Sequence, residues 1–440
     1  MINSIIRRYK KLDIHTSEVL RKSFWSMIVK GVGILALLWI SLFLGRNLGA
    51  DGLGIISLAN RIVGLCLVFA LFGLPQVVVK MVAIGYNAND WQKIGDTVFT
   101  ASVITSVLAS TICITGYLLS HYLSIIVFEE PELEIPLKIG FIVMLPQTVT
   151  RIYGSGLNGL RKIWQSILVK ESLSMWVVAI LLIIIYFNDF SINVLNVAII
   201  YAIGRIVATI LAVSYWKKVS DSYGKRQLVL KPMLKMSIPL LFVSSTAVIA
   251  ASADSIMLGW LADSTEVGLY TVASSLALLT SIFLIITNSA ISPKIASLYA
   301  EGNLKGMEIM VQKVTYSLAI IGFIFISFFF IFGKQILNFW GSEFFEAYWV
   351  LIILSIGQFF NISTGATGQI LIMCGKEKIL GKIKFIEVIA NIFFNYILII
   401  KFDAIGAAIA TSTTVTCLNI VKVIYVHKIM GIKILKLKYL

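Results

Sequence analysis

Three arginines stand inside long hydrophobic runs of this chain: Arg61, Arg151 and Arg205. A guanidinium at the middle of a bilayer costs roughly 3 kcal/mol or more, so each should face a protein interior or a wet cavity. Helical spacing gives each of them polar company. Gln147, Arg151, Ser155 and Asn158 step by four, four and three, Tyr201, Arg205 and Thr209 step by four, and Asn60 adjoins Arg61. All three lie in the first half of the chain, and no acid lies deep in that half's apolar runs to pair with them. If these faces converge, they line a strongly positive cavity whose planar donor forks suit phosphate oxygens. A lone arginine could instead cap carbonyls or snorkel to an interface. Three in one half favour the anion-binding cavity.

The second half is polar rather than basic. Gln358, Asn361, Gly365 and Gln369 follow helical steps, as do Lys384, Glu387, Asn391 and Asn395. Such stripes either tie helices together by hydrogen bonds or offer amides to a hydroxyl-rich cargo. Asp254 and Glu387 could carry a coupling proton or Na⁺, or could simply balance a cation. Enzyme chemistry has little footing, and the chain is expected not to be an enzyme. Gly154-Ser-Gly-Leu-Asn-Gly159 fits a dinucleotide fingerprint by letter, but it ends an apolar run with no strand before it. There is no Gly-Lys-Ser/Thr phosphate loop, and His15, His121 and His427 are isolated. No metal site and no organic cofactor is expected.

The elements that must position these residues follow from composition. Of 440 residues 58% are apolar and 13% charged, with a mean hydropathy of +0.93. A soluble domain carries about 25% charged residues. Apolar runs of about 20 residues recur along the chain, each long enough to cross a hydrocarbon core. The reading is an all-α membrane protein with twelve transmembrane helices. Their expected places are 24–45, 53–79, 94–120, 135–158, 165–187, 192–216, 232–262, 267–292, 311–333, 347–373, 379–400 and 402–426. Trp164, Trp216, Trp340 and Trp349 near span ends read as interfacial anchors.

A net charge of +15 would suit a nucleic-acid binder, but most of the Lys and Arg fall in patches that alternate with the spans. That is the positive-inside pattern of a membrane protein, and no nucleic-acid partner is expected. Arg7, Arg8, Arg161, Lys162, Lys217, Lys218, Lys376 and Lys378 mark one side; Glu129, Glu130, Asp189, Asp263 and Glu343 mark the other. Both termini should therefore be cytoplasmic. Met1–Ser23 reads as a basic amphipathic lead-in rather than a cleavable signal. Cys66, Cys113, Cys374 and Cys417 are far apart in apolar surroundings and suggest buried thiols.

The chain also repeats itself. Leu44 and Gly45 fall on Leu258 and Gly259, Gly54 on Gly268 and Ala59 on Ala273, all 214 positions on. Gly159, Lys162 and Glu171 match Gly375, Lys378 and Glu387 at an offset of 216. Two echoes in the same order argue for a duplicated half, here as parallel repeats. The expected organisation is a cytoplasmic N-terminal segment at 1–23, a first six-helix lobe at 24–216 and a connector at 217–231. A second lobe at 232–427 and a basic cytoplasmic tail at 428–440 complete it.

Four stretches carry a family resemblance: Ser23-Phe24-Trp25-Ser26, Leu44-Gly45 through Gly54-Ile55-Ile56-Ser57-Leu58-Ala59, Gly375-Lys376-Glu377-Lys378, and Ala404 through Thr411. In these the chain resembles the polysaccharide-type (O-antigen, Wzx-like) flippases of the multidrug/oligosaccharidyl-lipid/polysaccharide exporter superfamily. The resemblance implies a two-lobed inner-membrane transporter working by alternating access on an undecaprenyl-pyrophosphate-linked oligosaccharide. It also implies basic residues against the pyrophosphate, a role that Arg61, Arg151 and Arg205 match by depth and helix. A polysaccharide polymerase and a chain-length regulator are candidate partners. Two rivals within the superfamily are a lipid-II-type flippase and a multidrug/cation antiporter. The antiporter would want acids deep in the first lobe, where none is found. A polymerase would want a larger outside loop than about 120–136.

Overall fold

A long apolar run cannot satisfy its backbone polar groups in lipid except by coiling on itself, so helices are the expected product. In the computed structural model, which describes residues 14–188, 190–220 and 224–434, every regular element is a helix. Residues 1–13 of the N-terminal lead-in, Asp189, connector residues 221–223 and residues 435–440 of the basic tail lie outside the described residues.

The helices of the first half are α1 (Ile14–Leu71), α2 (Leu74–Asn87), α3 (Trp91–Tyr122), α4 (Glu134–Gly159), α5 (Ile163–Ile167), α6 (Leu173–Phe187) and α7 (Val194–Val219). Those of the second half are α8 (Leu230–Leu261), α9 (Ser264–Ala300), α10 (Leu304–Leu337), α11 (Tyr348–Ser363), α12 (Thr367–Met373) and α13 (Glu377–Met430). Among the described residues, ten stretches are long and apolar enough to cross a membrane. Two of them, of 47 and 54 residues, would run about 70 and 80 Å, more than twice the hydrocarbon thickness. Each is broken inside, at Gly49 (φ 74°, ψ −175°) and at Asp403 (φ 47°, ψ −130°). Beyond the second break the chain doubles back, since a side chain at Gly406 would strike the Leu398 carbonyl. The described residues therefore make twelve crossings.

Two expected spans are less regular than the sequence suggested. The second span stops at a turn where Gly73 takes φ 69°, and helix resumes with Pro75 in its first turn. The tenth is interrupted at residues 364–366, where Gly365 takes φ 64°. Neither break interrupts the apolar pattern, which is why hydropathy does not reveal them. The tryptophan expectation also needs correction. Trp216 and Trp340 are buried. Trp216 fills the notch left by Gly156 and meets Tyr153 edge-on at 5.9 Å, while Trp340 donates its indole N–H to Ser41 Oγ at 3.1 Å. Trp349 is exposed, as an anchor should be. Of the cysteines, all free, Cys374 is buried but Cys417 is exposed.

The chain forms two compact units. The first comprises Met1–Ile40, Val63–His121 and Glu134–Ser245; the second comprises Ser41–Ile62, Tyr122–Leu133 and Thr246–Leu440. In the first, α4 packs along α7, and Phe141 enters the space beside Gly116. In the second, α9, α10, α11 and α13 pack on one another, and the 41–62 hairpin lies against the start of α9. That contact realises the sequence repeat. Gly54 approaches so closely that a Cβ would land on the Ser264 carbonyl, and a Cβ on Gly268 would land on the Ala50 carbonyl. Gly54 and Gly268 are repeat partners, and so are Ala50 and Ser264. The contact is reciprocal, as a duplicated hairpin folded on its copy requires. Outward-facing apolar side chains such as Leu118, Phe187 and Phe242 have their natural solvent in lipid.

Candidate functional site

In the first unit the Pro146 carbonyl sets the geometry. It accepts from Thr150 Oγ1 at 3.2 Å and from Thr209 Oγ1 at 3.0 Å, and the two hydroxyls lie 2.8 Å apart. This pins α4 to α7. Arg151 follows Thr150 directly, and Arg205 is one turn before Thr209, so the pin draws the two arginines together; their charges repel each other. The phenol of Tyr201, one turn back on α7, is buried and feels the Arg205 charge. Gln147, one turn before Arg151, has a buried amide oxygen with no hydrogen-bond donor.

A third cation completes this cluster. Lys170 sits in a π-turn, Leu168–Ser172, whose wider coil turns it inward. Its aliphatic stem fills the space beside Gly154, and Ser166 Oγ donates to the Gly154 carbonyl at 2.6 Å. Lys170 and Arg151 repel each other, and Glu171 is the acid whose field reaches both. Glu171 itself is exposed and 3.9 Å from Lys30. Sequence spacing does not single out Lys170, because it lies only about one turn inside the span expected at 165–187, where a lysine can snorkel to the interface.

Arg61 belongs to the second unit. Its Nη1 donates to the Ala251 carbonyl at 3.0 Å, one turn from Asp254, whose charge attracts it. Its electrostatic partner therefore comes from the second half of the chain. Asp254 is held by three side chains from three other spans. Its Oδ1 accepts from Asn395 Nδ2 at 2.6 Å, and its Oδ2 accepts from Tyr270 OH at 2.5 Å and Thr411 Oγ1 at 2.8 Å. Asn391 donates to Thr411 Oγ1 at 3.0 Å and accepts from Asn395 at 3.0 Å. The Asn395 amide oxygen is buried with no donor. Asp254 and Asn391 are thus brought together, and Tyr270, Asn395 and Thr411 complete a carboxylate–amide–hydroxyl cluster.

Glu387, one turn before Asn391, pairs with Lys384 at 3.0 Å and also attracts the buried Lys422. From Lys422 a chain of polar groups crosses the bundle. Lys422 Nζ donates to Asn419 Oδ1 at 3.2 Å, Asn419 Nδ2 to Asn361 Oδ1 at 3.2 Å, and Asn361 Nδ2 to Gln358 Oε1 at 3.2 Å. Ser281 Oγ ends it on Gln358 Oε1 at 2.6 Å. Gln358 and Asn361 precede the break at 364–366, the kind of discontinuous helix at which transporters bind cargo. Among the described residues there is no group of three or more His, Cys, Asp or Glu side chains placed to hold a metal.

Twelve crossings, a cationic cluster in one unit and a carboxylate–amide cluster in the other define a polytopic helical membrane protein of transporter architecture. The chain belongs to the polysaccharide biosynthesis protein family, whose sequence pattern it matches over residues 19–299, so the resemblance read from the sequence is confirmed. A second pattern, MatE, covers residues 239–397. The chain is 24% identical to the probable low-salt glycan biosynthesis flippase Agl15 of Haloferax volcanii over 89% of its own length and 80% of that protein. It is also 24% identical to the capsular polysaccharide biosynthesis protein CapF of Staphylococcus aureus, over 54% of this chain and 62% of CapF. The CapF match therefore spans less than two thirds of that relative. The fold is similar to that of a multidrug-resistance MATE family transporter of the MOP superfamily, a structure described as inward-facing, with TM-score 0.75, 16% identity and coverage of 89% and 93% of the two chains. It is also similar to that of the lipid II flippase MurJ, a structure described as inward closed, with TM-score 0.72, 15% identity and coverage of 91% and 87%.

Proposed function

We propose that the chain is a flippase that carries an undecaprenyl-pyrophosphate-linked oligosaccharide repeat unit across the bacterial inner membrane. Six-helix lobes at 24–216 and 232–427 alternate access between the cytoplasmic and outer leaflets, both termini facing the cytoplasm. The observation that carries this reading is the cluster of Arg151, Arg205 and Lys170, with Glu171 the acid whose field reaches it. A pyrophosphate is the ligand that best offsets such concentrated charge, because each guanidinium can grip two of its oxygens. The amide chain from Ser281 to Lys422 suits sugar hydroxyls. Agl15 and CapF, named for glycan and capsular polysaccharide biosynthesis, support the same cargo class.

Coupling falls to Asp254. A carboxylate, two asparagine amides and a threonine hydroxyl are hard oxygen donors that suit Na⁺, and the carboxylate alone suits a proton. Glu387, already paired with Lys384, is the secondary candidate.

The test is complementation of a deletion strain, reading surface polysaccharide with membrane levels of the protein checked. Ala at Arg61, Arg151, Arg205 or Lys170 is expected to cut polysaccharide at least tenfold, whereas Lys at the arginines keeps part of it. Normal polysaccharide from all four Ala variants would remove the pyrophosphate site. A lipid-II cargo, suggested by the likeness in fold to MurJ, predicts that the gene is needed for growth. The proposed cargo predicts a viable strain lacking surface glycan.

A further inference from the structure

One part of the second unit breaks the charge pattern of its end of the bundle. The non-helical connections there are acidic, with Glu129, Glu130, Asp263, Glu343 and Asp403 at or beside them. Yet Arg46, just before the Gly49 break, and Lys334, one turn from the end of α10, line the same cavity. Its volume is about 560 Å³, and Gln335, Asn338, Phe339 and Phe345 complete its wall. Among the described residues, no carboxylate lines it. Positive-inside bias does not account for two cations gathered at the end of the helices that the bias puts outside.

Both cations are held in place. Arg46 Nε donates to the Phe339 carbonyl at 2.6 Å, which leaves its two terminal nitrogens for a ligand. Lys334 Nζ stands over the Tyr348 ring at 5.2 Å, and Tyr348 OH is fixed on the Phe330 carbonyl at 3.0 Å. Phe339 and Phe345, both exposed, line the cavity, and the exposed Trp349 meets the Tyr348 ring edge-on at 5.3 Å. Tryptophan and tyrosine are the side chains that settle at headgroup level in a bilayer. The cavity thus combines interfacial depth, net positive charge and two amides.

We infer that this cavity binds the phosphate headgroup of a membrane lipid in the outer leaflet. Arg46 and Lys334 hold the phosphate oxygens, Gln335 and Asn338 meet the neighbouring polar group, and the rings lie along the first carbons of the tail. Two sources share that chemistry. One is a bulk anionic phospholipid, in which case the site is independent of the proposed transport. The other is the pyrophosphate end of a carrier lipid after translocation, which rests on the flippase reading and would make the cavity an exit site.

The experiment is native mass spectrometry of the full chain in nanodiscs, with phosphatidylglycerol, undecaprenyl pyrophosphate and zwitterionic phosphatidylcholine offered separately. Arg46→Gln and Lys334→Gln are each expected to weaken retention of an anionic lipid about fivefold, and together about 25-fold. Phosphatidylcholine should not change. The charge-keeping swap Arg46→Lys with Lys334→Arg should restore most of the retention, which separates binding from folding. Loss confined to undecaprenyl pyrophosphate identifies an exit site; loss confined to phosphatidylglycerol identifies a bulk-lipid site and leaves the flippase reading untouched. Equal retention of both anionic lipids by wild type and the double Gln variant would overturn the inference. So would an equal loss of phosphatidylcholine.

Discussion

Replacing Asp254 by Asn is expected to abolish ion-dependent transport while leaving the protein folded; replacing it by Ala is expected to cost stability as well. The difference lies in the three donors that converge on this carboxylate. Asn395, Tyr270 and Thr411 all give it hydrogen bonds, and the Arg61 charge lies nearby. Ala strands all three donors inside the bundle, and each stranded group costs about 1–3 kcal/mol. The side chain is half-buried rather than sealed, so water recovers part of this, and a net loss of about 3 kcal/mol is the expectation. Asn keeps the shape and one acceptor oxygen, so the thermal midpoint of the purified protein should fall by only a few degrees. What Asn removes is the charge, and with it the site for Na⁺ or a proton. Wild-type protein should therefore gain thermal stability on addition of Na⁺, and Asp254→Asn should gain none. Transport by Asp254→Asn with undiminished dependence on Na⁺ and pH would end the coupling role of this residue.

How far the sequence foretold this site depended on whether its parts were local. The twelve crossings were legible because hydropathy integrates over some 20 residues, and scattered polar residues do not disturb it. Arg151 and Arg205 were legible because each has a polar face at helical spacing, and the Thr150–Thr209 contact that joins their helices lies beside both. Lys170 was missed because a π-turn rotates it off the face that a regular helix would give it. Lys422 was missed because it lies about one turn from the end of the span expected at 402–426, beside the basic tail, where a cation can snorkel out; the helix continues to Met430 and buries it. Asp254 stood out in the sequence, but its ligands come from α9 and from both arms of α13, more than a hundred residues away in two cases. No local spacing encodes such a cluster. Arg61 shows the same limit, since the acid nearest in effect, Asp254, lies 193 positions on. The repeat was the exception among long-range signals. It was legible because duplication copies spacing, and the reciprocal glycine contact shows why those two positions kept their identity.

That contact carries the second large effect. Gly54→Val is expected to prevent the 41–62 hairpin from seating on the start of α9. The new side chain would have to occupy the place of the Ser264 carbonyl, and a backbone group held in a helix cannot turn aside as a flexible side chain can. Overpacking against mobile side chains costs about 1–3 kcal/mol, so a collision with backbone should cost more, and the helices must part. Even Gly54→Ala should lower the thermal midpoint markedly, because the clash begins at Cβ. Gly268→Ala should do so by a similar amount through the Ala50 carbonyl. Gly64→Ala is the control: it lies in the same helix with no atom within 4 Å of the added carbon, so better helix propensity should leave it neutral or more stable by up to about 1 kcal/mol. The double variant Gly54→Ala/Gly268→Ala should cost clearly less than the two singles combined, because one separation of the helices relieves both collisions. Thermal unfolding of the detergent-solubilised protein, followed by size-exclusion chromatography with fluorescence detection, measures all five. Strict additivity would mean that the two glycines act at independent places, and an unchanged midpoint for Gly54→Val would mean that the hairpin does not seat there at all.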